Sequence, residues 1–89
     1  MPNTNCDAVI SRSIISKRHA DASNGKTEEI FLPEPLEDSR GHIYQPRTAI
    51  ELRCAINDSA QTFSETFYIV DSCGEYDALL RKGCGSAPP

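Results

Sequence analysis

The feature that most constrains this chain is a strict alternation of apolar and polar residues in its second half. Between residues 48 and 57, the apolar side chains occupy every second position: Ile50, Leu52, Cys54 and Ile56. The positions between them hold Glu51, Arg53, Ala55 and Asn57. A period of two is typical of an antiparallel strand with one buried and one solvated face. The sequence therefore predicts a strand from Thr48 to Asn57.

A second strand is predicted directly after the first. Asn57-Asp58-Ser59 is typical of a turn, and residues 65–71 contain the run Phe67-Tyr68-Ile69-Val70. Two such runs joined by turn residues predict a β-hairpin. A further short strand is predicted from Tyr76 to Arg81.

Residues 5–18 are compatible with two local structures. The spacing from Ile10 to Ile14 suits a helix, but two short strands meeting near Arg12-Ser13 suit it as well. β-Branched residues dominate the segment and strong helix formers are few, which favours the strands. Asn24-Gly25 then predicts a turn.

Residues 19–47 are interpreted as a long loop or an insertion, with one short strand in 28–32. Three prolines (Pro33, Pro35 and Pro46) disfavour central-strand pairing around them. Long loops carry function more often than the elements they connect. We therefore predict an interaction loop around Arg40, His42 and Tyr44.

The chain length predicts one domain spanning residues 1–89, with flexible ends at 1–4 and 85–89. A core this small gives marginal stability, and four cysteines are available to add disulfides. Four cysteines allow three pairings, which arithmetic alone does not separate. The polar start of the chain is interpreted as that of a mature secreted protein.

Charge and spacing argue against several classes of ligand. The net charge of −4 disfavours nucleic acid and anionic membrane surfaces. Zinc ligands are normally two to four residues apart, whereas Cys73 and Cys84 are eleven apart, and the only histidines are His19 and His42. We therefore expect no metal and no other cofactor.

Four short motifs resemble those of the MAX effectors, a family of secreted fungal avirulence proteins and ToxB-like toxins. They are Asn5-Cys6-Asp7-Ala8, Glu51-Leu52-Arg53, Ser72-Cys73-Gly74 and the late cysteine Cys84. The resemblance leaves out residues 19–47. It implies an all-β fold, a small six-stranded antiparallel β-sandwich of two three-stranded sheets, stabilised by disulfides. It also implies a bridge between Cys6 and Cys73, with Cys54 and Cys84 left as the second pair.

The function implied by this resemblance is that of a secreted, non-enzymatic virulence effector. Such a protein is expected to be a monomer, to be secreted by a fungal plant pathogen and to enter host cells. Its expected partner is a host plant protein, such as a small metal-binding-type domain of an immune receptor. Strand addition at an exposed sheet edge is the expected binding mode.

The alternative is a ribonuclease-like secreted effector, either active or catalytically dead. Such an enzyme needs a carboxylate base, a cation and a histidine acid, for which Glu51, Arg53 and His42 are the candidates. The same residues also fit the solvated face of a half-buried strand and a surface loop. The two hypotheses differ locally, because the ribonuclease fold requires a helix over residues 7–19.

Overall fold

The computed structural model describes residues 4–55 and 62–82, apart from the side chains at 54, 55 and 62. In these ranges the chain is mostly strand, with one short helix. In chain order the elements are β1 (Thr4–Cys6), β2 (Ser13–Ser16), α1 (Lys17–Ser23), β3 (Thr27–Glu29), β4 (Leu36–Glu37), β5 (Ile43–Tyr44), β6 (Thr48–Ala55), β7 (Thr62–Val70) and β8 (Ala78–Leu80).

Six strands form one mixed sheet in the order β1-β8-β2-β7-β6-β3, and β4 and β5 form a separate pair. β6 and β7 are antiparallel neighbours, with Ile50 opposite Phe67. The predicted pairing of these two strands is thus confirmed, while the predicted turn at 57–59 lies outside the described residues. β2 runs parallel to β7, and β1 runs parallel to β8.

β2 lies at the centre of the sheet and is covered on both faces. Its adjacent residues Ile14 and Ile15 point to opposite faces, and both are fully buried. A strand buried on both faces shows consecutive apolar residues and lacks alternation. The preference for strands in this region is therefore confirmed at residues 13–16.

A short helix follows β2 immediately. Its N-terminal cap is Ser16, whose hydroxyl accepts a hydrogen bond from the backbone N–H of His19. The helix ends at Ser23, and its C-terminal cap is Asn24, which adopts a left-handed conformation with φ of 57°. Its one buried residue, Ala20, packs on the face of the sheet that carries Ile15. No helix of the described chain is long and apolar enough to cross a membrane.

The opposite face of the sheet is covered by the β4–β5 hairpin. Leu36 and Tyr44 from the hairpin pack with Ile14, Val70 and Leu79 of the sheet. The core therefore consists of two apolar layers, one under the helix and one under the hairpin.

The expectation of a sandwich of two three-stranded antiparallel sheets is wrong. The strands form one mixed six-stranded sheet with a two-stranded hairpin against one face. β2 pairs with β7 in parallel although the two strands are far apart in the chain. Parallel pairing needs a long crossover connection, and periodicity within a strand does not reveal which distant strand lies beside it.

Residues 19–47 are more ordered than a long loop. They include most of α1 together with β3, β4 and β5. Strands of two or three residues are too short to show a periodic pattern. The expected strand at 28–32 corresponds to β3 at Thr27–Glu29, an edge strand paired with β6.

No disulfide is found among the described residues, so the expected bridge between Cys6 and Cys73 is not present. Cys6 lies opposite Leu80, with Sγ 3.8 Å from the carbonyl oxygen of Arg81. Sγ of Cys73 is 3.9 Å from the carbonyl oxygen of Asp77, at the other end of β8. Asp77 and Arg81 flank β8 and are four positions apart, which corresponds to about 13 Å in extended chain, whereas a disulfide needs Cα atoms within about 7 Å.

The second expected pair cannot be placed on the fold, because Cys84 and the side chain of Cys54 lie outside the described residues. Residues 1–3 and 85–89, which belong to the two ends expected to be flexible, also lie outside the described residues. Thr4, which belongs to the first of them, pairs with Ala78 in the sheet.

Candidate functional site: the 38–43 loop

The predicted interaction loop is the turn of the β4–β5 hairpin. The backbone N–H of Asp38 donates to the carbonyl of His42, and the N–H of Gly41 donates to the carbonyl of Asp38. Gly41 has φ of 83°, a conformation that glycine adopts at little cost. We call residues 38–43 the 38–43 loop.

A buried carboxylate holds this loop from inside. The side chain of Asp38 is fully buried, and its Oδ1 accepts hydrogen bonds from the backbone N–H groups of Arg40 and His42, each at 2.9 Å. Its Oδ2 accepts from the hydroxyl of Tyr44 at 2.8 Å. Burial alone would raise the pKa of Asp38, but these donors and the nearby imidazole of His42 lower it below its ordinary value.

A second buried carboxylate, Asp7, ties the loop to the start of the chain. Asp7 accepts hydrogen bonds from the backbone N–H groups of Val9, Ile10 and Ser39, and from the Ser39 hydroxyl. Burial works to raise the pKa of Asp7, but these donors together outweigh it and lower the pKa from 3.8 to about 2. The loop is thus fixed to the segment that follows β1.

The guanidinium of Arg40 packs against the turn after β7. It lies over the ring of Tyr76 at 5.4 Å from the centroid and donates to the carbonyl of Cys73 at 3.4 Å. Gly74, with φ of 71°, lies beside it, and a Cβ there would be 3.2 Å from an Nη atom of Arg40. The turn therefore leaves room for the arginine.

The structure separates the three residues that the sequence placed in one interaction loop. Arg40 and His42 are exposed, whereas Tyr44 is buried and supports the loop through Asp38. Two exposed apolar side chains belong to the same region. They are Ile43, which is 61% exposed, and Val9, which is 52% exposed and adjoins the Asp7 anchor.

Sequence reasoning missed the two residues that organise the site, Asp7 and Asp38. The signal for Asp38 was present, because an aspartate followed closely by glycine is typical of a turn in which the carboxylate binds backbone N–H groups. Asp7 likewise accepts a hydrogen bond from an N–H group that follows it closely in the chain, that of Val9. Its bond to Ser39 crosses 32 positions and has no local signal.

The residues considered for ribonuclease chemistry are placed on different elements. Glu51 and Arg53 are exposed on β6, opposite Thr66 and Ser64 of β7. His42 belongs to the hairpin, and its Nδ1 lies 3.3 Å from a carboxylate oxygen of Asp38. Residues 13–16 are a strand and the helix begins only at residue 17, so the helix that this alternative requires over 7–19 is not formed.

The arrangement of acidic, histidine and cysteine side chains in the described part of the chain bears on metal binding and on the reactivity of Cys73. Among its residues, no group of three or more histidine, cysteine, aspartate or glutamate side chains is arranged to hold a metal ion. Cys73 is fully buried, and burial, followed by the carboxylates of Asp77 and Asp38, raises the pKa of its thiol to about 11. A thiol with so high a pKa is a poor nucleophile at neutral pH.

Comparison with known proteins returned no match: no family model matches the chain, and neither a curated protein nor a solved structure is significantly similar to it.

Proposed function

We propose that this protein is a secreted fungal virulence effector that binds a host plant protein and has no catalytic activity of its own. The short motifs shared with the MAX effectors support the class of protein. The arrangement of the sheet differs from the sandwich that the resemblance implies, so the motifs alone carry that part of the proposal.

The observation that carries the binding role is the preorganised 38–43 loop. Two buried carboxylates and the Arg40–Tyr76 contact hold the loop, although its residues Arg40, His42 and Ile43 are exposed. A loop held in one conformation loses little conformational entropy when it binds. Arginine beside exposed apolar side chains is also common at protein interfaces.

The exposed residues of the loop also indicate the chemistry of its partner. Arg40 provides positive charge, Arg40 and His42 provide hydrogen-bond donors, and Ile43 and Val9 provide apolar area. We expect a complementary surface that combines carboxylates with an apolar patch. From the resemblance, we propose a small metal-binding-type domain of a plant immune receptor as the partner. The protein would bind it as a monomer, after secretion and entry into host cells.

Strand addition at β3 is the competing mode of binding. β3 is an edge of the sheet in the described part of the chain, and Phe31, just beyond it, is 86% exposed. Ile43→Glu and Phe31→Glu therefore form a matched pair, because each replaces an exposed apolar side chain by the same charge.

The test is affinity capture from plant extract with immobilised wild-type protein and each of the two variants, quantified by mass spectrometry. We expect a plant protein that is retained by the wild type and by Phe31→Glu but lost with Ile43→Glu. Loss with Phe31→Glu alone would assign binding to the β3 edge. If the wild type retains only those plant proteins that an unrelated domain of equal size also retains, the proposed function is contradicted.

An RNA-cleavage assay tests the enzymatic alternative directly. We expect no cleavage above background for the wild type. Cleavage that Glu51→Ala abolishes would replace the proposed function by a ribonuclease activity.

A further inference from the structure

A cleft lies beside β7, away from the 38–43 loop. β2 pairs only with Phe67–Val70 of β7, so within the described chain the first half of β7 has β6 on one side and no strand on the other. A cleft of about 220 Å³ occupies this step in the sheet, lined by Arg12, Arg81 and residues 64–66, among others. We call it the arginine cleft. None of the residues that line the arginine cleft belongs to the 38–43 loop.

Arg81 is held in the cleft by a buried carboxylate. Oε2 of Glu65 accepts a hydrogen bond from Nε of Arg81 at 3.0 Å and from the hydroxyl of Ser13 at 2.5 Å. The Ser13 oxygen in turn accepts from the backbone N–H of Arg81 at 3.0 Å. The bond to Glu65 uses Nε–H, one of the five N–H donors of the guanidinium, so the four N–H donors of the two Nη atoms are not used in this bond.

A second guanidinium lines the same cleft. Arg12 lies over the ring of Tyr68, with its central carbon 5.8 Å from the ring centroid, and this contact orients the side chain. The hydroxyl-bearing residues Ser64 and Thr66 of β7 line the same cleft. They are exposed and can donate to a bound oxygen.

The neighbouring strand adds one charge of each sign. Arg53 of β6 is directly opposite Ser64, and Glu51 is directly opposite Thr66; side chains of directly opposite residues share one face of a sheet. The carboxylate of Glu65 is buried and bonded to Ser13 and Arg81. The excess of arginine over glutamate here contrasts with the net charge of −4 of the whole chain.

We propose that the arginine cleft binds a phosphate group of a phosphate monoester. Arginine N–H groups match the geometry of phosphate oxygens and form charge-assisted hydrogen bonds with them. A monoester carries close to two negative charges at neutral pH. It therefore complements two guanidiniums better than a ligand with a single carboxylate, which carries one negative charge. This site does not depend on the protein-binding role of the 38–43 loop.

The test is a titration of the ¹⁵N-labelled protein with phosphotyrosine, inorganic phosphate and acetate at constant ionic strength. We expect saturable shifts of the amide signals of residues 64–66 and of the Nε–H signal of Arg81. Binding should be strongest for the two phosphates, and Arg12→Gln should weaken it about tenfold or more. Glu51→Gln should strengthen it, because this change removes a negative charge from the strand opposite.

Arg18→Gln is the matched control, since Arg18 is an exposed arginine on α1 and its replacement changes the net charge equally. Arg81→Lys keeps a positive charge beside Glu65 and avoids an unpaired buried carboxylate. It should weaken phosphate binding while the protein stays folded. Acetate binding as tight as phosphate binding, equal losses in Arg12→Gln and Arg18→Gln, or no saturable shift would each overturn the proposal.

Discussion

At the scale of single residues, Asp7 and Asp38 show how a buried carboxylate can organise an exposed loop. Removing a carboxylate from water is costly unless hydrogen-bond donors replace the lost solvation. Asp7 receives three backbone N–H groups and a hydroxyl, and Asp38 receives two N–H groups and a phenol. Both pKa values are lowered despite burial, so the charged forms are the ones that the fold stabilises.

The lowered pKa of Asp7 predicts a loss of stability in acid. Because the pKa is about 2 in the folded chain and 3.8 ordinarily, the contribution is complete above pH 3.8 and is lost as the pH falls towards 2. The expected size is about 2 kcal/mol of unfolding free energy. Urea unfolding of wild type and Asp7→Asn between pH 2 and pH 6 measures it.

The quantity to compare is the difference in unfolding free energy between the wild type and Asp7→Asn, because Asp38 titrates in both proteins. We expect the wild type to be the more stable by a margin that shrinks as the pH falls through this window. Asp21→Asn, at an exposed position of α1, is the matched control and should follow the wild type. A margin that does not change with pH would contradict the role assigned to Asp7.

At the scale of elements, the connection between α1 and β3 depends on a close packing contact. A Cβ added at Gly25 would lie 2.6 Å from Cδ1 of Ile50 and 2.9 Å from its Cγ1. Ile50 is buried between β3 and β7, opposite Thr27 and Phe67. The Asn24-Gly25 turn is therefore tied to the core as well as to the end of the helix.

We expect Gly25→Ala to destabilise the protein by about 1–3 kcal/mol, because the added methyl group overpacks a filled core. Ile50→Val removes the atom nearest to the new methyl group, at a cost of about 0.5–1.5 kcal/mol alone. Chemical denaturation of the two single variants and the double variant measures their coupling.

The double variant should be more stable than the sum of the two single effects predicts. Additive effects would show that the two positions are not in contact. A stabilising Gly25→Ala, as expected where alanine only restricts the unfolded chain, would contradict the packing described here.

At the scale of the whole molecule, one sheet with a cover on each face buries Cys73 and keeps it apart from Cys6. Cys73 packs in the layer under the β4–β5 hairpin with Ile10 and Tyr44. Its protection therefore depends on the complete fold, because the hairpin, the start of the chain and the sheet all contribute to that layer.

We expect Cys73 of the native protein to resist alkylation by iodoacetamide at pH 8, because it is buried and its thiol pKa is raised to about 11. It should react after unfolding. Alkylation followed by peptide mass spectrometry measures both states. Ala22→Cys is the control, since residue 22 is exposed on α1.

Two results would contradict this prediction. One is alkylation of native Cys73 at the rate of the introduced cysteine. The other is a peptide in which Cys6 and Cys73 are cross-linked, which would restore the bridge that the resemblance implies.

The sequence by itself determined the alternating strand β6 and its pairing with β7, whereas the tertiary structure decided the neighbours of the other strands and the anchors of the candidate site. The alternation at 48–57 specified the faces of β6 because each side chain's direction follows from the strand's own period. No such period relates β2 to β7, or Ser39 to Asp7 across 32 positions and Arg40 to Cys73 across 33. Contacts of this kind depend on which distant segments pack together, so only the folded chain shows that two buried carboxylates hold the predicted loop.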